Sequence, residues 1–190
     1  MKKLTICIVQ LMMVLTVTAQ TYKSVSNISF TSKSDAYAKE RLKLDVYYPE
    51  DLTDCPVIVW FHGGGLEGGQ KEIPQRLKEK GYVVVGANYR LLPNVTVDKT
   101  LDDAAEAVAW AFRHAKDYGG DPRKIVVTGH SAGGYLSMML CLNKAWLKGY
   151  GIDADSVWQY IPFSGQAITH YNVRKMQGIN PLQPTIDEYA

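Results

Sequence analysis

The chain is poor in cysteine, with three in 190 residues, at positions 7, 55 and 141. Thiols so far apart form no metal-binding framework. It also lacks charge of one sign, since 21 Lys and Arg stand against 19 Asp and Glu. That balance removes the electrostatic reason to expect nucleic acid or an anionic membrane as a partner. No apolar run approaches the roughly 20 residues needed to cross a bilayer. Internal repeats, linkers and low-complexity tracts are missing as well. What remains is 46% hydrophobic and 21% charged, which describes a globular chain and excludes disorder. The length suits one domain.

The first 19 residues read as a secretory signal. Lys2 and Lys3 give a basic start, and Leu4 to Leu15 form an apolar run broken by Thr5, Cys7 and Gln10. Val17 and Ala19 then place small residues at the −3 and −1 positions of a cleavage site. A buried N-terminal helix or a membrane anchor is the competing reading. Cys7 lies inside the apolar run, away from the cleavage point, which argues against a lipoprotein anchor. Cleavage leaves 19 charges of each sign and a mature protein expected in the periplasm or outside the cell, with no membrane partner. An oxidising compartment permits a Cys55–Cys141 disulfide. Cys141 falls in an apolar stretch, however, and a buried free thiol is expected there.

Two stretches, Tyr22 to Phe30 and Leu42 to Tyr48, alternate apolar and polar residues as half-buried edge strands do. Pro56 to Phe61, Tyr82 to Gly86 and Ile125 to Thr128 are continuous apolar runs, the mark of strands covered on both faces. Between the last two, Leu101, Ala104, Ala105, Val108, Ala109 and Phe112 repeat at helical spacing. A shorter helix is expected around Ile73 to Lys80, a buried helix over Ala132 to Trp146, and a sixth strand over Val157 to Phe163. Such alternation predicts an α/β fold with a mostly parallel sheet and right-handed crossovers.

Gly129-His130-Ser131-Ala132-Gly133 matches G-x-S-x-G and stands between a strand and an apolar helix. That is the context of a nucleophile elbow, a tight turn that lifts the serine hydroxyl above the sheet. The Ala132 N–H, at the new helix start, would face an oxyanion near Ser131. His62-Gly63-Gly64-Gly65 follows the third strand, and consecutive glycines let backbone N–H groups approach a substrate closely. His62 itself reads as a structural histidine that fixes this loop. A plain glycine turn is the bland alternative.

The His-Gly-Gly-Gly and Gly-His-Ser-Ala-Gly-Gly segments, with Asn-Tyr-Arg-Leu at 88–91 and Tyr118 to Ile125 between them, resemble the α/β-hydrolase superfamily. Within it the resemblance is to the carboxylesterase/lipase branch, which includes hormone-sensitive-lipase-like and feruloyl-esterase-like (BD-FAE) proteins, and it covers about residues 40 to 165. It implies a three-layer α/β-hydrolase sandwich, Ser131 as nucleophile and oxyanion donors at Gly64, Gly65 and Ala132. Gly63, Gly129 and Gly133 would support the two motifs. No metal or organic cofactor is implied. His130 stands where lipase-like relatives often carry Asp, which favours the feruloyl- or acetyl-esterase side.

In this fold the acid and histidine follow the serine, in that order. After Ser131 come 59 residues with one histidine, His170, and the acids Asp153, Asp155, Asp187 and Glu188. Asp153 and Asp155 precede the sixth strand, so they are expected roughly 20 Å from the nucleophile. Asp187 and Glu188 follow His170, the wrong order, while His170 is expected to emerge just beyond the sixth strand on the side of Ser131 and is the one candidate base within this sequence. The family resemblance places acid and base after two further strands, so the chain reads as lacking the last strands and helices of the fold. The leading expectation is a secreted serine esterase acting on small-molecule or polysaccharide-linked esters. A peptidase or amidase of the same fold, or a non-catalytic binding module on a hydrolase scaffold, are the alternatives.

Overall fold

The computed structural model describes residues 20–165. They form six strands and four α-helices in the chain order β1 (Tyr22–Ser29), α1 (Ala36–Arg41), β2 (Lys43–Pro49), β3 (Cys55–Phe61), β4 (Val83–Ala87), α2 (Val97–His114), β5 (Gly120–His130), α3 (Ala132–Leu142), α4 (Ala145–Lys148) and β6 (Gln159–Phe163). The strands make one sheet ordered β1-β2-β4-β3-β5-β6. Strands β4, β3, β5 and β6 are mutually parallel, whereas β1 and β2 pair antiparallel at one side. The α/β class with a mostly parallel sheet is thus present.

The continuous apolar runs occupy the sheet centre, as covered strands should. Val57, Val59, Phe61, Val83, Val85, Ile125 and Val127 are essentially inaccessible. Helix α2 packs on β3, β4 and β5 through Leu101, Ala104, Ala105 and Val108, all fully buried. Each large aliphatic side chain buried this way contributes about 1.5–3 kcal/mol. Helix α3 lies on β5 and β6 through Tyr135, Leu136 and Leu140.

Several local expectations are corrected. The segment Ile73 to Lys80 is not an α-helix; only Gln75–Leu77 form a 3-10 turn. Pro74 and Lys78 on either side are extended, and Glu79 and Gly81 have positive φ, so no second helical turn can be added. The helix expected to reach Trp146 ends at Leu142, where Asn143 adopts φ −110°, ψ 93°, and α4 is a separate single turn. Cys141 is exposed, because it follows the buried Leu140 by one residue and so points about 100° away from the packed side. Cys55 is the buried thiol, and both are free. Strand β2 is interior, between β1 and β4. Helix α1 is an addition: its six residues are capped by Asp35, whose carboxylate accepts from the Ala38 N–H at 2.8 Å.

Candidate active site

The parallel register carries the third and fifth strands to the same edge of the sheet. Phe61 lies beside Gly129 on neighbouring strands, so the loop leaving β3 and the turn leaving β5 emerge together. Ser131 is the junction residue between β5 and α3 and holds φ 53°, ψ −112°. A positive φ is unfavourable for a residue with a side chain, and such strain persists only where the surroundings fix it. Here they do. The Ser131 N–H donates to the Phe163 carbonyl at 2.9 Å, which ties the turn to the end of β6. Its carbonyl accepts from the Tyr135 N–H at 2.9 Å, the first bond of α3.

The glycines flanking the serine are there for contact. A Cβ on Gly133 would lie 2.0 Å from the Phe61 carbonyl oxygen, and one on Gly129 would lie 2.4 Å from the same atom. The end of β3 therefore presses into the elbow, and only bare backbone leaves it room. The glycine loop also passes beside the serine, less tightly. The Cβ position of Gly63 is 3.5 Å from Ser131 Cβ and 3.2 Å from both the His130 carbonyl and Nδ1.

Beyond Gly63 the loop turns back on itself. The Gly64 carbonyl accepts from the N–H groups of Glu67 and Gly68 at 3.0 and 2.9 Å, with Gly64 at φ 125°. Gly64 and Gly65 are solvent-exposed, and among the described residues no backbone carbonyl engages their N–H groups. Ala132, buried at the first position of α3, has an N–H that the helix itself cannot satisfy. Leu66 anchors the loop; it is fully buried, and its carbonyl accepts from the Leu92 N–H at 2.9 Å.

His62 sits beneath the loop, 3% exposed and stacked on Tyr89 with ring centroids 4.3 Å apart. Its Nδ1 lies 2.7 Å from the Gly63 carbonyl and its Nε2 lies 3.4 Å from Arg41 Nη2. Burial above all, with the Arg41 charge acting in the same direction, pushes its pKa below the usual histidine value, against a raising effect of the bond to Gly63. The ring is neutral, held on both nitrogens and turned away from solvent.

Among the described residues, none hydrogen-bonds the Ser131 hydroxyl. His114 is far along α2, stacked on Trp110 and 2.8 Å from Asp117. His130 is exposed beside Ser131. Asp153 caps the 3-10 turn at Ala154–Ser156 by accepting from the Asp155 N–H, and Asp155 pairs with Lys144 at 2.7 Å. Both precede β6, whose opposite end carries Phe163 beside His130, so they lie at the edge away from the serine. His170, Asp187 and Glu188 lie outside the described residues, as does the segment 1–19. No described cluster of His, Cys, Asp and Glu could hold a metal ion, and no described helix is long and apolar enough to cross a membrane.

Three contributors escaped the sequence. Arg41 comes from a helix too short to leave a periodic signal. Tyr89 was visible as part of Asn-Tyr-Arg-Leu but carried no assigned role. Gly69, at φ 98°, passes so close to His62 that a Cβ there would lie 2.3 Å from Nδ1.

A parallel sheet that delivers a strained serine and a glycine loop to one edge is the arrangement of an α/β-hydrolase. The chain belongs to the BD-FAE family, whose profile matches residues 44–171. It is 33% identical over 132 residues to the probable isoprenylcysteine alpha-carbonyl methylesterase ICMEL1 of Oryza sativa subsp. japonica, covering 66% of this chain and 31% of that one. Esterase 2 of Thermogutta terrifontis, solved phosphonylated by cyclosarin, superposes with a TM-score of 0.52 at 34% identity, over 60% of this chain and 45% of the other. A truncated carbohydrate esterase from gut microbiota superposes with a TM-score of 0.53 at 26% identity, over 62% and 42%. The chain spans about a third of the length of the curated relatives it matches.

Proposed function

We propose that this chain carries the nucleophile and oxyanion site of a secreted serine esterase. The observation that supports it best is the placement of Ser131 at φ 53° on the β5–α3 turn, with the Cβ position of Gly63 3.5 Å from Ser131 Cβ. The Ser131 Oγ attacks the ester carbonyl carbon while a base takes its proton. The N–H groups of Gly64, Gly65 and Ala132 hold the negative oxygen of the tetrahedral intermediate. The alcohol leaves with a proton, and water then attacks the acyl-serine, releasing the acid and restoring Ser131. Each oxyanion donor contributes about 3–4 kcal/mol to such a transition state.

Named relatives support the reaction class: one is a probable methylesterase and two solved neighbours are esterases. The carbohydrate esterase among them supports sugar-linked esters as one substrate class, beside small-molecule esters. The test is hydrolysis of p-nitrophenyl acetate and of an acetylated oligosaccharide by the full-length gene product and its Ser131→Ala variant. Turnover that falls at least about a thousandfold in the variant supports the reading. Turnover that survives Ser131→Ala contradicts it.

A further inference from the structure

Arg41 ends α1 in an almost inaccessible position, 8% exposed, directly under the glycine loop. Its Nε donates to the Tyr89 carbonyl at 3.1 Å, and its Nη2 donates to the Gly69 carbonyl at 2.7 Å. The same Nη2 lies 3.4 Å from His62 Nε2. A guanidinium has donors only and stays protonated. The His62 Nε2 facing it must therefore offer a lone pair, which places the ring proton on Nδ1. That Nδ1–H then donates to the Gly63 carbonyl at 2.7 Å.

The consequence follows from peptide geometry. The Gly63 carbonyl and the Gly64 N–H belong to one planar peptide unit, and in a trans unit they point in opposite directions. Drawing the carbonyl down onto His62 turns the Gly64 N–H away from His62, in a loop whose Gly63 Cβ position lies 3.5 Å from Ser131 Cβ. The preceding unit is fixed as well, because the Tyr89 hydroxyl donates to the His62 carbonyl at 2.7 Å. A glycine unit left unheld could rotate at little cost.

We propose that Arg41 is the positioning residue of the oxyanion site: by holding His62 as the Nδ1–H tautomer and anchoring Gly69, it aims the Gly64 N–H at the oxygen of the reacting ester. This rests on the esterase reading above and adds to it a residue that touches neither substrate nor serine. Arg41 acts in a chain of three contacts, to the His62 ring, to the Gly63 carbonyl and so to the Gly64 N–H. The groups around that ring are Arg41 from α1, Tyr89 and Asn88 beyond β4, and Glu72 from the loop between β3 and β4.

The test compares the full-length protein with Arg41→Gln, Arg41→Lys and, as a control on the same helix, the exposed Lys39→Gln. Far-UV circular dichroism establishes that each folds. Arg41→Gln should lower kcat for p-nitrophenyl acetate about 10–100-fold with KM within about threefold, since the oxyanion donor acts on the transition state. Arg41→Lys, which keeps the charge and loses the planar fork, should recover part of that loss, and Lys39→Gln should match the wild type. If Arg41→Gln does not fold, the intermediate loss in Arg41→Lys is the deciding result.

An arm independent of turnover reads the ring nitrogens by 15N NMR. The wild type should show His62 protonated at Nδ1 alone. Arg41→Gln should show mixed tautomers, a His62 titration midpoint moved upward and a displaced Gly64 amide signal. Unchanged kcat in a folded variant, or an unchanged His62 tautomer and Gly64 signal, would overturn the proposal. Absence of Ser131-dependent turnover in the wild type would instead sink the esterase reading, and the NMR arm alone would then decide the role of Arg41.

Discussion

The carbonyl oxygen of Phe61 and the α-carbon of Gly133 are in backbone contact, so that a side chain on residue 133 would begin 2.0 Å from that oxygen. This contact joins the two halves of the site. Phe61 ends the strand that launches the glycine loop, and Gly133 lies in the first turn of the helix behind Ser131. A change at either residue therefore moves both Ser131 and the glycine loop.

Gly133→Ala tests that contact. A methyl group cannot fit without separating β3 from α3, and overpacking of this kind costs typically about 1–3 kcal/mol. Chemical denaturation should show a loss at or above that range, whereas Gly151→Ala, with open space around it, should lose only what its positive φ imposes. Equal stability of Gly133→Ala and the wild type would mean that β3 and the elbow are farther apart than described.

The buried pair Arg90–Asp103 predicts a large effect on stability. Asp103 is inaccessible and accepts from the Arg90 N–H, Nε and Nη2 at 3.1, 2.8 and 2.8 Å. Removing its carboxylate strands a buried guanidinium, which costs about 3–5 kcal/mol. Asp103→Ala should lose stability on that scale in urea titration, and Arg90→Met with Asp103→Leu together should lose much less. A small loss in the single variant would show that Arg90 finds another partner, of which Asp35 at 3.3 Å is the nearest.

Stability should fall on the acid side as His62 titrates. The folded protein depresses its pKa from 6.5, so between those two values the unfolded chain binds more protons than the folded one. The His62 contribution is therefore fully present above about pH 6.5 and is lost as the pH falls through the folded value. Urea midpoints measured from pH 7.5 downward should decline in that window more in the wild type than in His62→Asn. Identical slopes would show that His62 takes up its proton without cost.

Much of this site could be read from the residues alone, and the reason is local. Ser131 and its glycines are contiguous, and the apolar run Ile125 to Thr128 announces the strand before them. Pro56 to Phe61 does the same for the glycine loop. What could not be read depends on distant contacts. Arg41 reaches Gly69 and Tyr89 across 28 and 48 residues, and six residues of helix give no period to detect. The segment Ile73 to Lys80 carries helix-forming residues, but Pro74 and the positive φ of Glu79 and Gly81 leave room for only a 3-10 turn. Cys141 misled because an apolar neighbourhood does not say which way one residue of a helix points.

Secretion is testable at the N-terminus. The reading of residues 1–19 as a cleaved signal requires that protein recovered outside the cytoplasm begin at Gln20. Terminal sequencing that finds Met1 retained would contradict it.

The central claim, that Ser131 is the activated nucleophile, is tested most directly by a fluorophosphonate. An activated serine hydroxyl attacks the phosphorus of such a reagent and displaces fluoride, leaving a stable phosphonyl-serine. The full-length gene product should take up one phosphonyl group, with loss of fluoride. Peptide mass mapping should then place that group on Ser131, and Ser131→Ala should remain unmodified. A folded protein that takes up no label, or that carries it on another residue, would contradict the account.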